Sequence, residues 1–381
     1  MAKNCPRYAT HIPPNLRMGQ TRHVGDKTYR KNSGTISKIG GMNMTPEDMK
    51  IDIVYLWVDD SDKKWRAQKD KWLEIVKGEK PVYTDAAIEA RWRDNGEFLY
   101  SLRSVDKYAP WVNHIYIITG FNQVPRWLNT KHPKITIVPH EQIMPHDALP
   151  TFNATAIEMC IPNIPGLSEH FLLMNDDMFF NRALSPRYFY DTHGRARVLF
   201  SNHTKRTKNI GEWMKRVDEY TQTLILSAKF IEKIFGKSVY KYRPSHGIDP
   251  YLKSSWIECR NHPLITGFID LQIRNKFRTN NEVQRWLFNL YDLINDRAVF
   301  IHSRARKHTR HKFINLIYNT IFAPWIKNSP VVCTDTSRAR SALMRSPIFC
   351  INDSRDTDET ILRDNAKFMA ERFPEKSQFE K

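Results

Sequence analysis

Short apolar runs alternate with amphipathic stretches through the first two hundred residues. Ile51-Asp-Ile-Val-Tyr-Leu-Trp-Val58, His114-Ile-Tyr-Ile-Ile-Thr119 and Lys134-Ile-Thr-Ile-Val138 are rich in β-branched and aromatic residues. Each is short for a buried helix and reads as a buried strand. His170-Phe-Leu-Leu-Met174 makes a fourth. Between them, residues 65–78, 96–108 and 151–159 read as helices, with Phe98, Leu102 and Val105 at helical spacing. Asp94-Asn95-Gly96-Glu97 has the form of a capping box before the second helix. Strands alternating with helices predict an α/β protein with a mainly parallel sheet core of the nucleotide-binding type. Beyond residue 200 the pattern is mainly helical, over about 211–236, 248–258, 281–295, 311–322 and 359–373. The expected organisation is a basic, poorly ordered arm over 1–48 and one large domain over 49–381. Within that domain, 51–200 is the α/β core and 201–381 the mainly helical C-terminal portion.

Composition narrows the class. The 381 residues are 41% hydrophobic and 12% aromatic, which supplies a sizeable core and excludes general disorder. A formal net charge of +18 favours phosphate-rich or polyanionic partners without choosing among them. The cysteines at 5, 160, 259, 333 and 350 are odd in number and widely spaced, which speaks against a disulfide framework or zinc site and fits a reducing compartment. Neither a signal peptide nor a spanning helix is expected, so the reading is a cytoplasmic protein. The basic stretch from His302 to Lys312 precedes Phe313, Leu316, Ile317 and Ile321 at helical spacing. It fits contact with an anionic membrane surface and equally a helix packed beside a solvated loop.

The chemistry-bearing candidates cluster at the ends of apolar runs. Asn175-Asp176-Asp177 closes the fourth strand, and two adjacent carboxylates at a strand end call for a proton, a basic side chain or a divalent metal. Read alone, the pair is also a solvated turn. Asn352-Asp353 repeats the theme after Phe349-Cys-Ile351, which suggests a shared cation site. Arg91 and Arg93 lie near a predicted helix start, where guanidinium and free N–H groups suit a phosphate. Arg103 lies further along; it is counted with the substrate-binding group, with pairing to Asp106 as the alternative. His246, in Ser245-His-Gly-Ile-Asp249, can take a proton from a hydroxyl or can simply cap the next helix. Arg278 precedes a further helix start.

In this order, these segments resemble the Stealth family of hexose-1-phosphate transferases. The first conserved region resembles Ile51 to Asp59 with Ser61-Asp62, and the second runs from Arg91 to about Arg182. The second includes Arg93-Asp-Asn95, Tyr108-Ala-Pro-Trp-Val112, Leu149-Pro-Thr-Phe-Asn153 and Asn175-Asp-Asp177. The third resembles Ser245 to Asp249 and continues to Arg278, and the fourth resembles Phe349 to Asp353. Trp92 and Gly96 depart from the expected pattern, and the third region is shorter and more divergent. The resemblance implies transfer of a sugar 1-phosphate from a UDP-sugar to a glycan or capsular polysaccharide hydroxyl. It implies Mg²⁺ (or Mn²⁺) held by Asp176, Asp177 and Asp353, Arg93 and Arg278 on the phosphates, and His246 as base. It also implies Asp59 and Asp62 on the nucleotide side and Asn95 and Asn153 orienting the sugar or the metal. No nucleic acid partner is expected. Two other functions stay open at this point: a metal-dependent glycosyltransferase releasing UDP, and a non-catalytic polyanion-binding protein.

Overall fold

The structure, a computed structural model, describes residues 45–77, 92–202, 209–303, 330–354 and 357–381. These belong to one unit, Met44–Lys381. Arg91, residues 304–325 of the basic segment and the arm up to residue 44 lie outside the described residues.

The main sheet has five strands in the order β3-β2-β1-β4-β8. They are β1 (Ile51–Leu56), β2 (Ile115–Thr119), β3 (Ile135–Pro139), β4 (His170–Asn175) and β8 (Asp249–Leu252). The first four are mutually parallel, as the alternating pattern predicts, and β8 joins antiparallel. Strands covered on both faces need apolar residues at successive positions, which is why they read as continuous runs. Asp52 breaks the run in β1, yet it is fully buried and accepts from Asn113 Nδ2 and Ser168 N at 2.7 Å each. Helices α1 (Lys63–Lys77) and α2 (Glu97–Tyr108) fall where the periodicity places them, followed by the short α3 (His140–Ile143) and α4 (Ala154–Glu158).

The capping box does not form. The residue before α2 is Gly96 at φ 88°, with no side-chain cap. Asp94 instead accepts from the Gly96 N–H at 2.8 Å and from Trp57 Nε1 at 3.0 Å. The left-handed turn that glycine permits points the chain into the helix without Asp94 reaching it.

Two three-stranded sheets complete the architecture. One joins β5 (Met178–Phe180), β11 (Ile348–Ile351) and β10 (Val331–Cys333); the other joins β6 (Ala196–Asn202), β7 (Tyr242–Pro244) and β9 (Ala298–His302). Helices still predominate beyond residue 200: α5 (Ile210–Met214), α6 (Glu219–Phe235), α7 (Lys253–Arg260), α8 (Thr266–Gln272), α9 (Trp286–Ile294), α10 (Thr336–Leu343) and α11 (Glu359–Arg372). The helix expected over 248–258 is a correction: its first half is strand β8. Three consecutive buried residues, Pro250, Tyr251 and Leu252, mark a strand pressed against β4 rather than one face of a helix.

These additions bring distant chain segments to one edge. The chain leaves β4 through Asp176 and Asp177 and enters β5, which pairs with β11 so that Met178 faces Cys350. Ile351 N donates to Asp177 O at 3.0 Å, so Asn352-Asp353 emerges beside the aspartate pair. A core of Phe179, Phe349, Phe368 and Phe373 holds that junction, with Phe179 and Phe349 stacked at 4.7 Å. Burying each such ring contributes about 1.5–3 kcal/mol. Because β8 runs against β4 with Asp249 opposite Leu173, the preceding residues, including His246, extend toward the same end of β4.

Candidate active site

A cavity of about 660 Å³ opens at that edge. Asp176, Asp177, Asp353, Arg93, His246 and Arg278 all line it. Six residues spread over 260 positions of sequence thus meet in one place.

The acidic end is crowded. Asp176 is half-buried, and burial first, then the like charges of Asp177, Glu97 and Asp94, raises its pKa well above the usual carboxylate range. Burial also pushes Asp177 up to about 6, against the opposing hydrogen bond from Cys350 and the Arg285 charge. Cys350 Sγ donates to Asp177 Oδ2 at 3.1 Å, while Asp177 Oδ1 is buried without a partner. Glu97, also lining the cavity, is pushed up to about 7 by burial despite hydrogen bonds from Asn95. Such a concentration of carboxylates is stabilised by a cation or by protons.

Asp353 is placed differently from the other two. Arg93 Nε donates to Asp353 Oδ2 at 2.8 Å, and Asn95 Nδ2 reaches the same oxygen at 3.4 Å. Among the described residues, no three His, Cys, Asp or Glu side chains form a ready-made metal cluster. An orphaned oxygen on Asp177 and an all-oxygen donor set fit a hard divalent ion that takes its other ligands from substrate and water. Arg278 carries no ion pair among the described residues and lies within electrostatic reach of Glu282. His246 is exposed within the cavity, and the protein crowded around it, followed by the Arg285 charge, pushes its pKa down to about 4. It is therefore neutral at pH 7. Gly247 is needed beside it, because a Cβ there would lie 3.0 Å from the Pro330 ring.

Several expected substrate residues serve the scaffold. Asn153 is fully buried as the N-cap of α4, accepting from Thr155 N and Ala156 N. It donates to Glu282 Oε1 at 3.0 Å and to Asn275 O at 3.4 Å, so no polar atom of its amide is left for a sugar. Arg103 grips Glu380 through two bonds of 2.9 and 2.8 Å and donates to Phe373 O and Pro374 O, anchoring the end of the chain. Its suggested partner Asp106 instead accepts from Gln378. Asp59 accepts from Ser61 N and Oγ, and Asp62 caps α1 through Lys64 N and Trp65 N. Neither Asp59 nor Asp62 lines the cavity, nor does Asn95, although Asn95 touches Asp353.

The sequence reading missed a buried ion cluster that also borders the cavity. Arg285 Nη1 meets Glu158 Oε1 at 2.5 Å and its Nε meets Asp249 Oδ2 at 3.4 Å. Burial works against the Arg285 charge, but Glu158, Tyr251 and Asp249 hold its pKa above the ordinary value. Burial pushes Asp249 up to about 6, with Arg285 opposing it. The one available sequence signal was Glu158 itself, a carboxylate inside the apolar stretch Ala156-Ile-Glu-Met159.

A cavity lined by charged and aromatic side chains at the carboxyl edge of a mainly parallel sheet is where α/β enzymes bind their ligands. Comparison with known proteins makes the class specific. Stealth conserved region 1 matches residues 49–77 and conserved region 2 matches residues 91–198. The capsular polysaccharide phosphotransferase WcwK of Streptococcus pneumoniae is 30% identical over 363 residues, spanning 87% of this chain and 99% of the relative. The exopolysaccharide phosphotransferase cps2G of Lactiplantibacillus plantarum is 29% identical over 373 residues, 90% of this chain and 99% of that one. The capsular polysaccharide phosphotransferase cps1A of Actinobacillus pleuropneumoniae is 36% identical over 245 residues, 63% of this chain and 64% of that one. The chain belongs to the Stealth family and is a transferase. Among solved structures, the galactosyltransferase LgtC with donor and acceptor sugar analogues superimposes loosely, with TM-score 0.40 and 10% identity over 85% of this chain and 95% of that one. No described helix is long and apolar enough to cross a membrane.

Proposed function

We propose that the protein transfers a sugar 1-phosphate from a UDP-sugar to a hydroxyl of a glycan acceptor, forming a phosphodiester in capsule or exopolysaccharide synthesis. The observation that carries this reading is the meeting of Asp176, Asp177, Arg93, Arg278 and His246 around one cavity. Asp176 and Asp177 would hold Mg²⁺ or Mn²⁺, with Asp353 positioned through Arg93. The bound ion supplies charge neutralisation at the diphosphate. Arg93 and Arg278 orient the diphosphate and stabilise the charge that shifts to the leaving group. Trp92, half-buried at the cavity wall and backed by Trp65 and Phe152, offers a ring face for the uracil.

The acceptor oxygen attacks the phosphorus that carries the sugar. Its bond to that phosphorus forms as the bridging bond to UMP breaks, and the hydroxyl proton passes to His246. Burial and, second to it, the Arg285 charge depress the basicity of His246; a bound negative diphosphate would work in the opposite direction. The site would act where UDP-sugars are available, at the cytoplasmic face of the membrane. Any membrane contact through 302–325 rests mostly on residues outside those described.

Incubation with a panel of nucleotide sugars, Mg²⁺ and glycan acceptors, followed by nucleotide and ³¹P analysis, tests the reading. UMP and a phosphodiester are expected. UDP as the sole nucleotide product would establish glycosyl transfer instead.

A further inference from the structure

The wall of the cavity around His246 carries side chains that the phosphoryl transfer above does not use. Glu158 ends α4, Tyr220 sits in the first turn of α6, Tyr251 lies in β8 and Trp286 begins α9. All four line the cavity. Three of them hold buried polar atoms with no partner: Glu158 Oε2, the Tyr251 hydroxyl and Trp286 Nε1. Those residues are 3%, 0% and 2% exposed. Buried polar groups are normally paired, and three orphans on one cavity wall indicate a missing partner. The other Glu158 oxygen is pinned by Arg285 at 2.5 Å, and Arg285 is in turn tied to Asp249. The carboxylate is thus held in place while Oε2 stays unmet. Tyr220 differs in keeping 37% of its surface open.

The chemistry of this set selects a ligand. A carboxylate oxygen such as Glu158 Oε2 accepts, Trp286 Nε1 only donates, and the Tyr251 hydroxyl does both. A phosphate needs donors throughout, and here the carboxylates of Glu158 and Asp249 balance the guanidiniums of Arg285, which is tied to both, and of Arg243, which lies 5.9 Å from the Tyr220 ring, so the wall holds no surplus positive charge. A pyranose offers hydroxyls that both donate and accept, and a C–H face that rests on an aromatic ring such as Tyr220. Asp249 lies three residues after His246 on the same segment, and a base must sit within hydrogen-bond reach of the hydroxyl it serves. We infer that Glu158, Tyr220, Tyr251 and Trp286 form a subsite for a neutral sugar ring of the acceptor, delivering its hydroxyl to His246. The assignment of that sugar as acceptor rests on the transferase reading above.

Saturation-transfer NMR on the full chain tests the subsite, with methyl glycosides of glucose, galactose and N-acetylglucosamine as probes. At least one should bind the wild type. Tyr220→Ala and Glu158→Gln should each weaken it ten-fold or more, while a UDP-sugar binds within two-fold of wild type. Circular dichroism checks folding, and Tyr220→Ala, at an open position, is the variant expected to keep it. Absence of hexoside binding to the wild type, or equal binding by both variants, overturns the subsite. The two readings fail separately: hexoside binding through these residues with UDP as product would sink phosphoryl transfer alone, and UMP release without such binding would sink the subsite alone.

Discussion

Replacing Asn153 by Ala tests whether this residue builds the site or touches substrate. The side chain caps α4 through two backbone N–H groups, a role worth about 1 kcal/mol. It also donates to the buried Glu282, and losing a hydrogen bond to such a group costs about 1.5–3 kcal/mol. The expected loss of stability is about 3 kcal/mol, a fall in Tm of roughly 4 °C for a unit of this size. Burial raises Glu282 to about 7, and the bonds from Asn275 and Asn153 oppose that rise. A carboxyl with a raised folded pKa destabilises the fold as pH climbs from its ordinary value through 7. Removing Asn153 raises that pKa further. The deficit of the variant should therefore be small at pH 5, where Glu282 is protonated, and larger at pH 8. Glu282 also accepts from Asn275 and Thr279 on the segment that carries Arg278. Loosening this segment should lower kcat about ten-fold. Thermal unfolding at both pH values, with steady-state kinetics, supplies the measurement. Unchanged stability with a raised donor KM would refute the scaffold role and return Asn153 to the substrate.

Three further outcomes follow from the geometry. Arg103→Ala should lose about 3 kcal/mol in urea unfolding, because it strands the largely buried Glu380, with the donor KM kept within two-fold; a large rise in that KM would restore Arg103 as a substrate contact. Asp176→Asn should abolish measurable UMP release while circular dichroism stays that of the wild type, and chelation by EDTA should do the same reversibly on addition of Mg²⁺ or Mn²⁺; full activity in EDTA would remove the metal from the proposal. His246→Ala should reduce kcat by about 10²–10⁴; a rate within a few-fold of wild type would mean that another group takes the proton.

The apolar runs by themselves determined the four parallel strands, since a strand buried on both faces must be apolar at nearly every position. Helical spacing likewise announced α1 and α2, and the charges at strand ends announced the aspartate pair. Pairing between segments was not legible, because hydrogen bonds between strands leave no mark in either sequence. Only the tertiary structure decided that β11 lies against β5 and β8 against β4, and those two contacts carry Asp353 and His246 to Asp176. Only packing could show that Arg103 and Asn153 turn inward to satisfy buried groups. The same Arg or Asn beside a helix start binds a ligand or braces the fold according to what lies across from it. For Arg285, Glu158 and Asp249, spread over 127 positions of the chain, the deciding fact was a shared burial site in which none of the three charges is tolerable alone.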